Sequence, residues 1–241
     1  MGKKVKWPKA VFTDSKNTLF DWDSVWIKAC LNILNKYDSK ISPEQFWRQW
    51  SSFMSGENLK VAFGKYRKFT ESLKISLVYT LKYFDVPGSG EDVKFMIDSW
   101  DEVEPFPDTE PGLRKIQEMT YVLIYSNVET EYLAMMVNKM KGYRPDFVGD
   151  MDMSKSCKPS PRAYRWVLET AGRQFNINLD FQDVLYVAGP QWDVQGAMAC
   201  GMKGCWIHRP TRFSPVIEGE SYDYEVKDFY EVSKIIESGS L

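Results

Sequence analysis

Short apolar runs alternate with amphipathic stretches through the second half of the chain. Ala10-Val11-Phe12-Thr13-Asp14 reads as a buried strand that ends in a carboxylate. Residues 121–125 (YVLIY) read as a second strand, 184–188 (VLYVA) as a third and Cys205-Trp206-Ile207 as a fourth, with Phe147-Val148 a short extra one. Helical periodicity marks 110–119, 129–141, 161–171 and 193–200 between them. Strands alternating with helices of this length predict βαβ units and a parallel sheet, in which ligands sit beyond the carboxyl ends of the strands.

Residues 24–100 differ, carrying helical periodicity and no strong strand run. Trp26, Cys30 and Ile33 fall on one helix face, with Ile27, Leu31 and Leu34 beside them. Ser42-Pro43-Glu44-Gln45 has the form of a helix start, with Ser as N-cap and Pro at the first helical position. Gly88-Ser89-Gly90 marks a turn. The fold expected is α/β, a doubly wound parallel sheet with a helical cap inserted after the first strand. The core takes 1–21 and 104–241, the cap 22–103. The tail, 213–241, reads as loop and one last helix.

Composition narrows the function. Hydrophobic residues make up 44% of the 241, enough for a sizeable core, and the net charge of −2 gives no electrostatic case for nucleic acid or a charged membrane. No apolar run is long enough to span a bilayer. The four cysteines form no C-x-x-C pair and a single His is present, which disfavours a Cys/His zinc site. Reduced thiols and no visible signal peptide fit a cytoplasmic protein. The Met1-Gly2 start lacks the Ser or Thr of a myristoylation signal.

Candidate chemistry gathers where the predicted strands end. Asp14 follows the first strand, Ser126-Asn127 the second, and Asp193 lies beyond the third in a Gly-Pro-Gln-Trp-Asp turn. Lys158-Pro159 precedes a helix. Each polar residue taken singly is equally a helix cap or a solvated loop group.

Their order resembles the four motifs of the haloacid dehalogenase superfamily. Asp14-x-x-x-Thr18-Leu19-Phe20-Asp21 is similar to the first, Tyr125-Ser126-Asn127 to the second, Cys157-Lys158-Pro159 with Arg162 and Tyr164 to the third, and Trp192-Asp193-x-x-Gly196-Ala197 to the fourth. Trp47-Arg48-Gln49, Lys65-Tyr66-x-x-Phe69 and 204–209 further resemble the L-2-haloacid dehalogenases (type II).

That resemblance implies an Asp nucleophile that attacks carbon and forms an ester, here Asp14. Thr18, Ser126 and Asn127 would hold its carboxylate or the substrate's, and Lys158 would keep Asp14 ionised. Asp193 with Lys158 would help activate water against the ester. Arg48 would clamp the substrate carboxylate or receive the halide. Gln49, Phe69 and Trp192 would form an apolar wall, with Tyr164 bonding near the same cluster. The resemblance implies a small organic acid as substrate, no metal or other cofactor, and a homodimer. In the phosphatase branch a second Asp stands two residues after the nucleophile, where this chain has Lys16.

Four departures from the type II pattern stand out. Lys16 replaces the usual Tyr and brings a charge to the pocket, Asn17 replaces Gly, and His208 replaces Asn. Ala188-Gly189-Pro190 replaces Ser-Ser-Asn and removes side-chain donors, with Gln191 a candidate to compensate. Three functional readings follow: a hydrolase with a changed acid substrate; an enzyme doing lyase, isomerase or cyclase chemistry without hydrolysis; and a non-catalytic binding protein.

Overall fold

A computed structural model describes residues 7–209 and 218–239. The Met1-Gly2 start and the beginning of the tail at Phe213 lie outside the described residues. Six parallel strands form one sheet in the order β3-β2-β1-β4-β5-β6. These are β1 (Ala10–Thr13), β2 (Tyr121–Ser126), β3 (Phe147–Asp150), β4 (Val184–Ala188), β5 (Lys203–Ile207) and β6 (Tyr224–Val226). Every residue of β1, β2 and β4 is buried. Strands covered by helices on both faces must be apolar throughout, which is why they read as continuous hydrophobic runs.

The order reverses at β1. The chain steps outward from β1 to β2 and β3, then returns to lay β4 on the other side of β1, with Ala10 opposite both Tyr121 and Val184. Such a reversal leaves a crevice at the carboxyl ends of the two central strands. Asp14 follows β1 there and Gly189 follows β4.

Between β1 and β2 the chain makes five α-helices and no strand: α1 (Trp22–Lys36), α2 (Pro43–Ala62), α3 (Phe69–Tyr83), α4 (Gly90–Asp98) and α5 (Thr109–Met119). Ser42 caps α2 as its sequence predicts, accepting from the Gln45 N–H at 3.1 Å. Trp26, Cys30 and Ile33 are buried together, whereas Leu31 turns to solvent. Aromatic packing dominates this layer. Trp22 meets Trp100 edge-on at 4.4 Å, and Trp26 stacks on Trp47 at 6.1 Å. One apolar cluster runs from Val11 and Ile124 on the sheet into these helices.

The remaining helices are α6 (Thr130–Asn138), the short α7 (Met151–Ser154), α8 (Pro161–Phe175), α9 (Gln191–Ala199) and α10 (Phe229–Ser238). Two strand assignments need correction. Residues 147–150 form a four-residue strand, longer than Phe147-Val148. The tail contains β6, whose three residues alongside β5 are too few to show a period. No helix among the described residues is long and apolar enough to cross a membrane.

Candidate active site

Asp14 sits just past β1 with its side chain almost fully buried, and both carboxylate oxygens are held. Thr18 Oγ1 donates to Oδ2 at 2.8 Å and Lys158 Nζ donates to Oδ1 at 2.6 Å. Thr18 is itself oriented by the Gly189 N–H, which donates to its Oγ1 at 2.9 Å. A side chain at Gly189 would be driven into the Asn17 carbonyl, so this close crossing of the two turns requires glycine. Asn17 takes a left-handed backbone, φ 55°, which Asn tolerates better than most side chains. Its Nδ2 donates to Asp23 Oδ1 at 2.8 Å, tying the turn to α1.

Lys158 bridges two carboxylates. Nζ also donates to Asp193 Oδ2 at 2.6 Å and to the Tyr186 hydroxyl at 2.9 Å. Asp193 accepts from the Tyr164 hydroxyl on Oδ1 at 2.6 Å and from the Tyr186 hydroxyl on Oδ2 at 2.7 Å. Burial disfavours the Lys158 charge, but Asp14 and Asp193 outweigh it and hold the ammonium above its ordinary range. Burial pushes the Asp193 carboxyl up, opposed by Lys158. Both tyrosines are pushed well above 10, first by burial and then by Asp193, so they remain donors. Asn127 fixes the lysine's backbone from both sides, accepting from Lys158 N–H at 2.8 Å and donating to its carbonyl at 2.9 Å.

Above Asp14 the helices close a cavity of about 90 Å³ lined by Lys16, Trp22, Asp23, Trp47, Ser51, Met54, Asn127, Pro190 and Trp192 among others. A second cavity of about 270 Å³ adjoins it, sharing Ser55, Asn58, Asn127 and Trp192 and adding Leu59, Lys158 and Pro159. Lys16 Nζ lies 3.8 Å from the centre of the Phe69 ring and 5.0 Å from that of Trp22. Cys157 is no competing nucleophile, because burial pushes its thiol up to about 12.

Comparison with known proteins fits this geometry. No family model matches the chain. It is 29% identical over 204 residues to haloacetate dehalogenase H-2 of Moraxella sp. (strain B), spanning 83% of this chain and 86% of that protein. It is 26% identical over 201 residues to (S)-2-haloacid dehalogenase of Xanthobacter autotrophicus, spanning 83% and 75%. The crystal structure of L-2-haloacid dehalogenase from Xanthobacter autotrophicus superposes with a TM-score of 0.77 at 22% identity, covering 95% of this chain and 98% of that one. The same enzyme with chloropropionic acid covalently bound superposes with a TM-score of 0.76 at 21% identity, with the same coverage.

The chain is a haloacid-dehalogenase-like enzyme. Most of the residues nominated in this dehalogenase-like enzyme converge. Asp14, Thr18, Lys158 and Asp193 form one hydrogen-bonded chain, Tyr164 braces Asp193, and Asn127, Lys16 and Trp192 line the cavity. Phe69 is fully buried against Lys16.

Other positions depart from expectation. Ser126 accepts from Ser15 Oγ at 2.6 Å beneath the turn and makes no hydrogen bond to Asp14. Gln191 is buried in the first turn of α9 and is absent from the cavity lining. Arg48 and Gln49 are not in the Asp14 cavity. They line a separate depression with Ser42, Gln45, Tyr83 and Phe84. Helix phase is the cause. Trp47, Ser51, Met54 and Asn58 of α2 face the site, and a helix turns roughly 100° per residue, so Arg48 and Gln49 swing away. Sequence reading missed Tyr186, which looks like any apolar-run residue in β4, and the small polar stripe Ser51, Ser55 and Asn58. The stripe's i, i+4, i+7 spacing continues the face of Trp47 and was the available signal.

Proposed function

We propose that the protein is a metal-independent hydrolase in which the Asp14 carboxylate attacks a small 2-halo or related organic acid through an ester intermediate. The observation carrying this reading is the setting of Asp14: buried at the floor of a cavity, paired with the Lys158 ammonium at 2.6 Å, and oriented by Thr18. An Asp14 oxygen would form a bond to the substrate's α-carbon as the halide leaves with the bonding electrons. Water would then attack the ester carbonyl of Asp14, releasing a 2-hydroxy acid and restoring the carboxylate. The chloropropionic acid bound covalently in the Xanthobacter enzyme supports the same course here. Trp22, Trp47 and Trp192 would strip water from the nucleophile, with the helices over the site acting as a cap.

Metal independence is supported by the donor set. Lys158 already stands between Asp14 and Asp193 at 2.6 Å from each, and all three hydrogen bonds to the Asp193 carboxylate are engaged by Lys158, Tyr164 and Tyr186. A divalent ion bridging the two carboxylates would have to displace that ammonium. Asp193 accordingly fits a positioning role for Lys158 better than direct activation of water. Chelation with EDTA is expected to leave halide release unchanged; loss that Mg²⁺ restores would contradict the assignment. Asp14→Asn is expected to abolish halide release from 2-chloropropionate, and undiminished release would refute the nucleophile.

One observation favours a second reading, in which carbon chemistry proceeds without hydrolysis. The turn after β4 brings a glycine N–H already given to Thr18 and the ring of Pro190, with no hydroxyl or amide side chain to hold water. Incorporation of a solvent oxygen into the product over many turnovers, or its absence, separates the two.

A further inference from the structure

We propose that Lys16 is the seat of the substrate's carboxylate, binding it from the helical side of the cavity opposite Asp14. The assignment rests on Asp14 being the attacking group. Among the described residues, three other cations bear on this assignment and none is available. Lys158 spends its ammonium on Asp14, Asp193 and Tyr186. Arg48 opens onto another depression. Arg209 lies beneath the first turn, donating to the Thr18 carbonyl at 2.8 Å and to Asp108 at 2.7 Å.

Lys16 lines the cavity, and its Nζ has no hydrogen-bond acceptor among the described residues. The rings of Phe69 and Trp22 hold the charge but accept no N–H···O bond, leaving its three donors for a ligand. A partly buried ammonium without an acceptor is costly, and a small anion in the cavity would repay it. The pKa agrees with this. Burial lowers Lys16 to about 8, against the opposing pull of Asp14. The titratable groups facing it are Asp14 from the first turn, Glu129 after β2, and Lys158 and the neutral Cys157 thiol from the loop before α8; Asp23 of α1 shares the cavity. An anion bound to the charged form would weaken as pH rises through that value.

The test is direct binding of propionate, propionamide and chloride to the intact protein, followed by tryptophan fluorescence, since Trp22 and Trp47 line the cavity. Propionate is expected to bind far better than propionamide. Lys16→Met should weaken propionate about 100-fold, the size of a lost charged hydrogen bond, and erase the preference over propionamide. Lys16→Arg should retain the preference. Wild-type propionate affinity should fall about tenfold per pH unit above pH 8. Unchanged acid preference in Lys16→Met, affinity flat from pH 7 to about 9.5, chloride binding without propionate binding, or no binding of propionate at all would each overturn the assignment. Acid binding through Lys16 without halide release from 2-chloropropionate would leave this inference standing and remove the dehalogenation reading instead.

Discussion

Lys158 on the sheet side of the cavity and Lys16 on its helical side both approach Asp14, in opposite physical states. Lys158 is buried among two carboxylates and a tyrosine hydroxyl, and its charge is stabilised. Lys16 meets two aromatic rings and, among the described residues, no acceptor, and its charge is destabilised. The difference separates a framework from a ligand site. On the sheet side every polar atom of the cluster has a partner before substrate arrives, so the nucleophile is fixed in advance. On the helical side a charge is left uncompensated, and the ligand completes it.

The sharpest break of that contrast is Lys158→Met. Removing it leaves Asp14 and Asp193 buried with no hydrogen-bonded counter-charge, so we expect at least about 10³-fold loss of turnover and about 3–5 kcal/mol of stability. Halide assays and urea denaturation would measure both, and a mild effect would mean the carboxylates are not held as described. Gly189→Ala comes next. Its new methyl would collide with the Asn17 carbonyl and disturb the Thr18 bond to Asp14, costing about 1–3 kcal/mol. Thermal unfolding would report it, and a neutral outcome would show the two turns to be loosely apposed.

Lys16→Met should do the reverse to stability while harming binding. Lys16 falls from 10.5 to about 8 on folding, so the native protein binds fewer protons than the unfolded chain between those values. Wild-type stability therefore rises with pH across that window, and below it the penalty is present in full. Lys16→Met should be more stable than wild type at pH 7 by about 1–3 kcal/mol, with the gap closing by about pH 10.5. A variant less stable at pH 7 would mean that the aromatic cradle compensates the charge after all. The smallest expected effect is Arg48→Ala. It should change KM for 2-chloropropionate less than about twofold, and a large rise would return the anion seat to α2.

Legibility in the sequence followed the same division. Asp14 and Asn127 were readable because a parallel strand is a continuous apolar run, and the residues that follow it must lie at the crevice; Lys158, in the loop before α8, was readable only through the order of the motifs. Arg48 was misplaced because its role came from the resemblance of Trp47-Arg48-Gln49 to a family motif, which does not fix the phase of α2; here Trp47 faces the cavity and Arg48, one residue on, does not. Tyr186 was hidden by its own strand. Its ring packs against Phe12 at 4.9 Å while its hydroxyl serves Lys158 and Asp193, and apolar patterning records only the ring. Lys16 was visible as a departure from family pattern, but its isolation from acceptors among the described residues is a property of the packed helices. The same holds for Gly189, where the loss of three polar side chains over residues 188–190 is partly offset by a backbone N–H that residue identity does not display.

The central claim is that Asp14 carries the substrate as an ester. Its most direct test is a single turnover of 2-chloropropionate by excess protein in oxygen-18 water, followed by mass analysis of the peptide containing Asp14. Attack of water on the ester carbonyl predicts one solvent oxygen in the Asp14 carboxylate and none in the first lactate released. Label appearing in the product with an unlabelled Asp14 would contradict the account, showing that water, and not Asp14, attacks carbon.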